Sequence, residues 1–372
     1  MLVVYHAMFY VVEPSGPLGG DGFNFAVWIA KRMWIGVPIF FVISGYCIAG
    51  SIQSLKSRTG GLLQFAQKRF LRIYPPLWAA CAFAAIIWLL ASNSRFLSAH
   101  CLQIKGAGAL SAWQWIGNLT VTESWLHHLV NGGAGPNYLI GIIWTLCYEE
   151  QFYIVAALAL LVFKEKAIWG VAMVTALAAG LFLSGTATGS HLSGIFLDGH
   201  WLLFSFGWAA HHALHQSRLQ TKIGIIILLL ITTISALLHM RGPHADEVLH
   251  FDLSLASAAA FAILLIVAHQ WDEALSMGRL FRPFSYVGRM SYSIYLTHYA
   301  PVTILAAAFS GIGHRSHGFT VAIIVPLSLF VSIVVGLPFY HWVERRFTSM
   351  RSKTSGELER QEQILRSQKM PC

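Results

Sequence analysis

Two adjacent carboxylates, Glu149 and Glu150, sit in Trp144-Thr145-Leu146-Cys147-Tyr148-Glu149-Glu150-Gln151-Phe152-Tyr153, which opens an apolar run reaching Phe163. A charged group at the centre of a lipid-spanning helix costs roughly 2.5–3.5 kcal/mol on insertion scales, so such a residue marks function by default. On a helix, Thr145, Glu149 and Tyr153 fall at i, i+4 and i+8, and Glu150 points about 100° away. One acid can then face a polar interior while its neighbour does something else. The competing arrangement has both acids solvated at the membrane surface.

Four further stretches carry polar groups where lipid would not want them. His6 lies in the first apolar run. Alone it would suit a buried neutral ring held by a backbone carbonyl; beside an intramembrane carboxylate it suits a base with its orienter. Gly36-Val37-Pro38-Ile39-Phe40-Phe41-Val42-Ile43-Ser44-Gly45-Tyr46 holds Pro38 and Gly45, which are expected to interrupt a helix and permit close packing. Ser44 there either lines a cavity or only packs. In Lys68-Arg69-Phe70-Leu71-Arg72-Ile73-Tyr74-Pro75-Pro76, Arg69 and Arg72 are i, i+3 and share a face. Two guanidiniums so placed suit phosphate oxygens, or equally a headgroup anchor; Pro75 is expected to end that helix or open the next. In Gly288-Arg289-Met290-Ser291-Tyr292-Ser293-Ile294-Tyr295-Leu296-Thr297-His298, residues Ser291, Tyr295 and His298 form a polar stripe that must face protein or water.

Other signals are weak. His211 and His215 are i, i+4, but no HExxH is present, and no metal site is expected. His127 and His128 are expected to point to opposite sides of their element. No Walker sequence, GxGxxG after a strand, or GxSxG elbow occurs.

Positioning these residues falls to helices in a membrane. Of 372 residues, 56% are hydrophobic and 11% charged, with mean hydropathy +0.60. Soluble proteins carry about 25% charged residues. The expected fold is all-α and polytopic, with about ten transmembrane helices near 1–12 (short), 35–52, 75–92, 140–163, 167–185, 199–214, 223–240, 254–270, 289–310 and 319–342. Residues 1–342 form the membrane domain and 343–372 a polar tail that suits a surface helix or disorder. The net charge of +9 does not imply nucleic acid, because the cations cluster in loops. Nineteen of the 25 Lys and Arg fall on one set of loops and the tail, which places both termini in the cytoplasm. The segment 93–139 then lies outside as a lid or interfacial loop. The five cysteines imply no disulfide framework, and no cleavable signal peptide is visible.

Taken together and in order, a first-span histidine in Tyr5-His6-Ala7, GV-x-x-FFVISGY from Gly36, R-x-x-R-I-Y-P from Arg69, W-T-L-x-x-E-x-x-FY from Trp144, and SYSIYLTH from Ser291 resemble the type 3 membrane acyltransferase family. The similarity runs to Val343-Glu344-Arg345-Arg346. That family includes bacterial O-acetyltransferases of surface polysaccharides. The resemblance implies an acyl-CoA co-substrate, acetyl-CoA first among them, and no tightly bound cofactor. It implies a carbohydrate or lipid-linked glycan acceptor and a home in the bacterial cytoplasmic membrane, among its lipids. It implies that His6 is the base, that Arg69 and Arg72 belong to the donor motif, and that Glu149 is the family glutamate. Family members usually carry a basic residue about ten positions ahead of the histidine, whereas five residues precede His6 here, as in a chain that is truncated or started late. No hydrolase-like stretch follows the last span, so the membrane domain or a partner is expected to handle the acceptor.

On this footing His6 and Glu149 are the expected catalytic pair, with Glu149 orienting the imidazole or stabilising its charged form. Arg69 and Arg72 dock the CoA phosphates. Ser44, Tyr295 or His298 hydrogen-bonds the oxyanion. Two rivals predict other behaviour. A proton-coupled transporter or flippase of a lipid-linked sugar would move substrate without acyl-CoA. A non-catalytic scaffold would lose only folding on substitution of His6 or Glu149.

Overall fold

The computed structural model describes residues 1–11, 24–55, 61–100, 110–130, 135–184, 192–215, 218–239, 245–272, 278, 281–313 and 316–347. Among these, all regular structure is helical. In chain order the helices are α1 (Leu2–Val11), α2 (Asn24–Lys31), α3 (Gly36–Leu55), α4 (Gly61–Ser92), α5 (Arg95–His100) and α6 (Ala112–Leu119). Then follow α7 (Glu123–Val130), α8 (Ile143–Phe163), α9 (Ala167–Leu183), α10 (His200–His215), α11 (Leu219–His239) and α12 (Ala245–Ala268). Helices at Arg282–Arg289, Ser291–Thr297, Tyr299–Gly311 and His317–Phe347 complete the described chain.

Six helical stretches in the described residues are long and apolar enough to cross a membrane, not ten: Phe25–Ser54, Leu62–Ser92, Ile143–Phe163, Leu219–Leu237, Phe251–Trp271 and His317–Phe347. The difference has identifiable causes. The first run folds as ten residues of α1, about 15 Å at 1.5 Å per residue and half of a bilayer core. The 167–185 run gives 17 helical residues and the 199–214 run gives 16. The 289–310 run is broken at Met290 and His298. A hydropathy window does not register such breaks, because they change direction and not composition. The polar tail beyond Phe347 lies outside the described residues.

Two expected breaks are continuous helix. Pro38 lies in the first turn of α3, where no backbone N–H is needed, and Gly45 sits within the unbroken helix. Gly45 instead serves contact: a Cβ there would lie 2.1 Å from the carbonyl oxygen of Phe204 on α10. Gly207 answers from the other side, where a Cβ would lie 1.8 Å from the carbonyl oxygen of Val42. The two backbones touch, as small residues permit between membrane helices. Pro75 and Pro76 lie inside α4, which runs on through them for 32 residues. Membrane helices tolerate proline better than soluble ones do. Next to the carbonyls that the prolines leave without a helical donor, the Tyr292 hydroxyl donates to the carbonyl of Ile73 at 3.2 Å.

The main core joins α3, α8, α10 and α12 through Phe41, Phe152, Trp201 and Phe204. A second core joins α4 to the start of α8 and to Leu296 and Ala300, and a third packs α1 against 302–325. The large apolar side chains of α11 are mostly exposed, as a lipid-facing helix requires.

The described residues of segment 93–139 are more built than a loop. Ser111 and Gln114 close a capping box at the start of α6. Asn118 donates to the carbonyl of Asn137 at 2.9 Å and accepts from Leu139 N–H at 2.8 Å. Glu123 is buried and accepts from Asn137 N–H at 2.9 Å. Burial pushes its carboxyl above the ordinary range, and that N–H pulls it partly back. His127 and His128 do not diverge: their rings lie 3.9 Å apart.

Candidate active site

Helix periodicity puts Thr145, Glu149 and Tyr153 on one buried face of α8, and all three lie there. Glu149 Oε1 accepts from the Ser44 hydroxyl at 2.8 Å, and a short hydrogen bond joins it to the Tyr153 hydroxyl. Arg69 Nη1 donates to that same tyrosine oxygen at 3.2 Å, and Nη2 to Ser51 Oγ at 3.0 Å. The guanidinium also lies over the Tyr153 ring, 4.6 Å from its centroid. Arg72, one turn along α4, is accessible and within electrostatic reach of Tyr153, Glu149 and Tyr292. Helices α3, α4 and α8 therefore converge on one carboxylate and two guanidiniums. Glu150 turns away and accepts from the Tyr74 hydroxyl at 3.1 Å.

A second cluster forms at α1. His6 Nδ1 lies 3.0 Å from Nε2 of the buried His298, with the rings 16° from parallel. His298 Nδ1 lies 3.0 Å from the carbonyl of Ile294 and 2.7 Å from that of Tyr295. Carbonyls only accept, so Nδ1 of His298 carries its proton and Nε2 holds a lone pair. His6 Nδ1 must then be the donor across the 3.0 Å contact, which leaves the His6 lone pair on Nε2. Hydrogen-bond logic thus fixes both tautomers in sequence. The edge of His6 also meets the Tyr299 ring at 5.6 Å.

The two clusters are linked but not merged. The Tyr295 hydroxyl bonds to Thr145, one turn before Glu149, and donates to the carbonyl of Ile142 at 2.9 Å. Its ring stacks on Phe40 of α3. The partner of His6 in this geometry is His298; the partners of Glu149 are Ser44 and Tyr153. The expected direct pairing of His6 with Glu149 is not among these contacts.

The three residues expected at an oxyanion are all engaged elsewhere. Ser44 donates to Glu149, Tyr295 donates to Ile142, and the His298 proton rests on carbonyls. Ser291 stands apart, exposed, and the buried serine of that stretch is Ser293. Glu344 Oε2 accepts from Ser293 N–H at 3.1 Å and from its hydroxyl. This contact, between residues 51 apart, pins the short helix that ends at His298. The sequence analysis gives no role to Glu344, Ser51 or Tyr74, although Tyr74 stands in the R-x-x-R-I-Y-P stretch and Glu344 is an acid at the edge of the last apolar run. His211 and His215 stack on each other at 4.0 Å, and no group of three metal-ligating side chains occurs among the described residues.

Comparison with known proteins agrees with this architecture. The family model described as an acyltransferase domain matches residues 1–341. A peptidoglycan O-acetyltransferase of Listeria monocytogenes is 25% identical over 292 residues, covering 74% of this chain and 46% of that protein. An O-acetyltransferase of Staphylococcus aureus is 25% identical over 309 residues, covering 76% of this chain and 48% of its own length. The chain thus spans about half the length of the curated relatives it matches. No solved structure matches it. With a family model matched over residues 1–341, the chain belongs to the type 3 membrane acyltransferase family.

Proposed function

We propose that this chain transfers an acyl group, acetyl in the first instance, from acyl-CoA to a hydroxyl of a cell-surface glycan or its lipid-linked precursor. The observation that carries the proposal is the 3.0 Å contact of His6 Nδ1 with Nε2 of His298, whose own Nδ1 faces two carbonyls; hydrogen-bond logic then puts the His6 lone pair on Nε2. Family membership and the acetyltransferase relatives support the reaction class. Arg69 and Arg72 offer the CoA phosphates two guanidiniums on one face of α4, where α3 and α8 meet it. Glu149 holds this group together through Tyr153 and Ser44.

In the proposed reaction, His6 Nε2 takes the proton of the acceptor hydroxyl as its oxygen attacks the thioester carbonyl. The carbon–sulfur bond then breaks, and the CoA thiolate leaves with the proton returned by His6. Positive charge on His6 is shared with His298 across their 3.0 Å contact. His298 is thereby a positioning residue and not an oxyanion donor.

The test is label transfer from radiolabelled acetyl-CoA into a carbohydrate fraction by membranes holding the wild type or His6→Ala. The expected result is transfer by the wild type and a loss of about 10²–10⁴-fold in the variant, the range for a positioned general base. Equal transfer by the two would remove His6 from the reaction. Movement of a lipid-linked sugar without acyl-CoA would favour the transporter.

A further inference from the structure

About 100° around α8 from Glu149, Tyr148 opens a different cluster. Asp198 Oδ1 lies 2.7 Å from His200 Nδ1 and also accepts from His200 N–H at 3.2 Å. Its other oxygen accepts from Gly194 N–H at 3.1 Å and, by a short bond, from the Tyr148 hydroxyl. Four donors converge on this one carboxylate, which is far more than a chance surface pair receives. An ionised carboxylate only accepts, so Nδ1 of His200 carries the proton and Nε2 presents a lone pair. No described side chain hydrogen-bonds that Nε2, and the His200 side chain is 22% exposed.

The surroundings define what this nitrogen can meet. His200 stacks on Tyr148 at 4.2 Å, and the rings of Phe41, Trp144 and Phe251 meet it edge-on at 5.8–5.9 Å. Gly199 has φ +109°, and a Cβ there would lie 2.5 Å from Phe251, so this turn is built to bring aromatic and dyad together. Among the described residues no lysine or arginine hydrogen-bonds into the cluster, so it does not suit a phosphate. Aromatic walls with one oriented polar atom suit a neutral ligand that has apolar faces and hydroxyl edges.

We propose that Asp198, His200 and this aromatic wall form the binding subsite for a neutral sugar ring of the acceptor, with His200 Nε2 accepting a hydrogen bond from a ring hydroxyl. The inference rests on the acyl-transfer reading and gives its acceptor a place. Tyr148 and Glu149 are consecutive on α8, so acceptor and donor sites lie on adjacent faces of one helix. Asp198 acts through His200 as a positioning residue.

The experiment uses membranes holding the full chain, labelled acetyl-CoA and the carbohydrate of those membranes as acceptor. Wild type, His200→Ala and His200→Gln are compared, with acetyl-CoA affinity and thermal midpoint measured in parallel. The expected result is at least a tenfold loss of label transfer in His200→Ala, with acetyl-CoA affinity within twofold of wild type. His200→Gln, whose amide tip reaches the Nε2 position, recovers part of the loss. Transfer by His200→Ala equal to wild type would overturn this subsite and leave the acyl-transfer reading standing. Loss of acetyl-CoA affinity or a collapsed thermal midpoint in both variants would also overturn it, by making the dyad a structural tie. Failure of the wild type itself to label any carbohydrate overturns the acyl-transfer reading, and the subsite with it.

Discussion

At Glu149 a single oxygen accepts from two hydroxyls, and the tyrosine of that pair is also held by Arg69. Removing the carboxylate strands both hydroxyls in a buried site. Glu149→Ala is expected to cost about 1–3 kcal/mol for each stranded group, read as a fall in thermal midpoint. Glu149→Gln keeps an acceptor and should lose less. A variant Glu149→Ala as stable as wild type would show that water already serves those hydroxyls. Arg69→Ala removes a guanidinium without touching His6. It should raise the apparent KM for acetyl-CoA about tenfold, the effect of losing one charge-assisted contact of about 1.5 kcal/mol, and leave kcat less changed. An unchanged KM would place the donor elsewhere. At this scale much was legible beforehand. The face shared by Thr145, Glu149 and Tyr153 follows from helix geometry alone. The partnership of His6 with His298 does not, because 292 residues separate them and either histidine could have met Glu149 instead.

Elements hold these residues through contacts that composition foretells only in part. The glycine in Ser44-Gly45-Tyr46 marks close packing, but nothing in the sequence matches it to Gly207. Their facing positions let α3 bring Ser44 against α8. Gly207→Val should therefore force α3 and α10 apart. An overpacked contact costs about 1–3 kcal/mol or more, so a clear drop in folded yield and thermal midpoint is expected. Full retention of both would mean the helices separate without strain. The span count departed from expectation for a related reason. Hydropathy sees apolar length, whereas the 289–310 run is broken at Met290 and His298, and the described helices α1, α9 and α10 have 10, 17 and 16 residues. Conversely, Pro75 and Pro76 look like a helix end in sequence and lie inside α4, which runs on through them.

Across the whole molecule, polar groups gather in a few places inside an otherwise apolar bundle. The His6–His298 pair, the Glu149–Tyr153–Arg69 chain and the Asp198–His200 dyad each join side chains from more than one helix. Tyr295 and Thr145 tie the first two together, and consecutive residues of α8 tie the last two. On the proposed reading, this arrangement separates the tasks of a transferase: a base, a cationic donor seat and a neutral acceptor wall. The most direct test of this account is a double-mutant cycle on acetyl transfer with His6→Ala, His298→Ala and both together. If His298 acts only by fixing the tautomer and orientation of His6, the double variant should be no slower than His6→Ala alone, as for residues that work as a unit. Losses that multiply in the double variant would contradict the account, because each histidine would then serve the reaction separately.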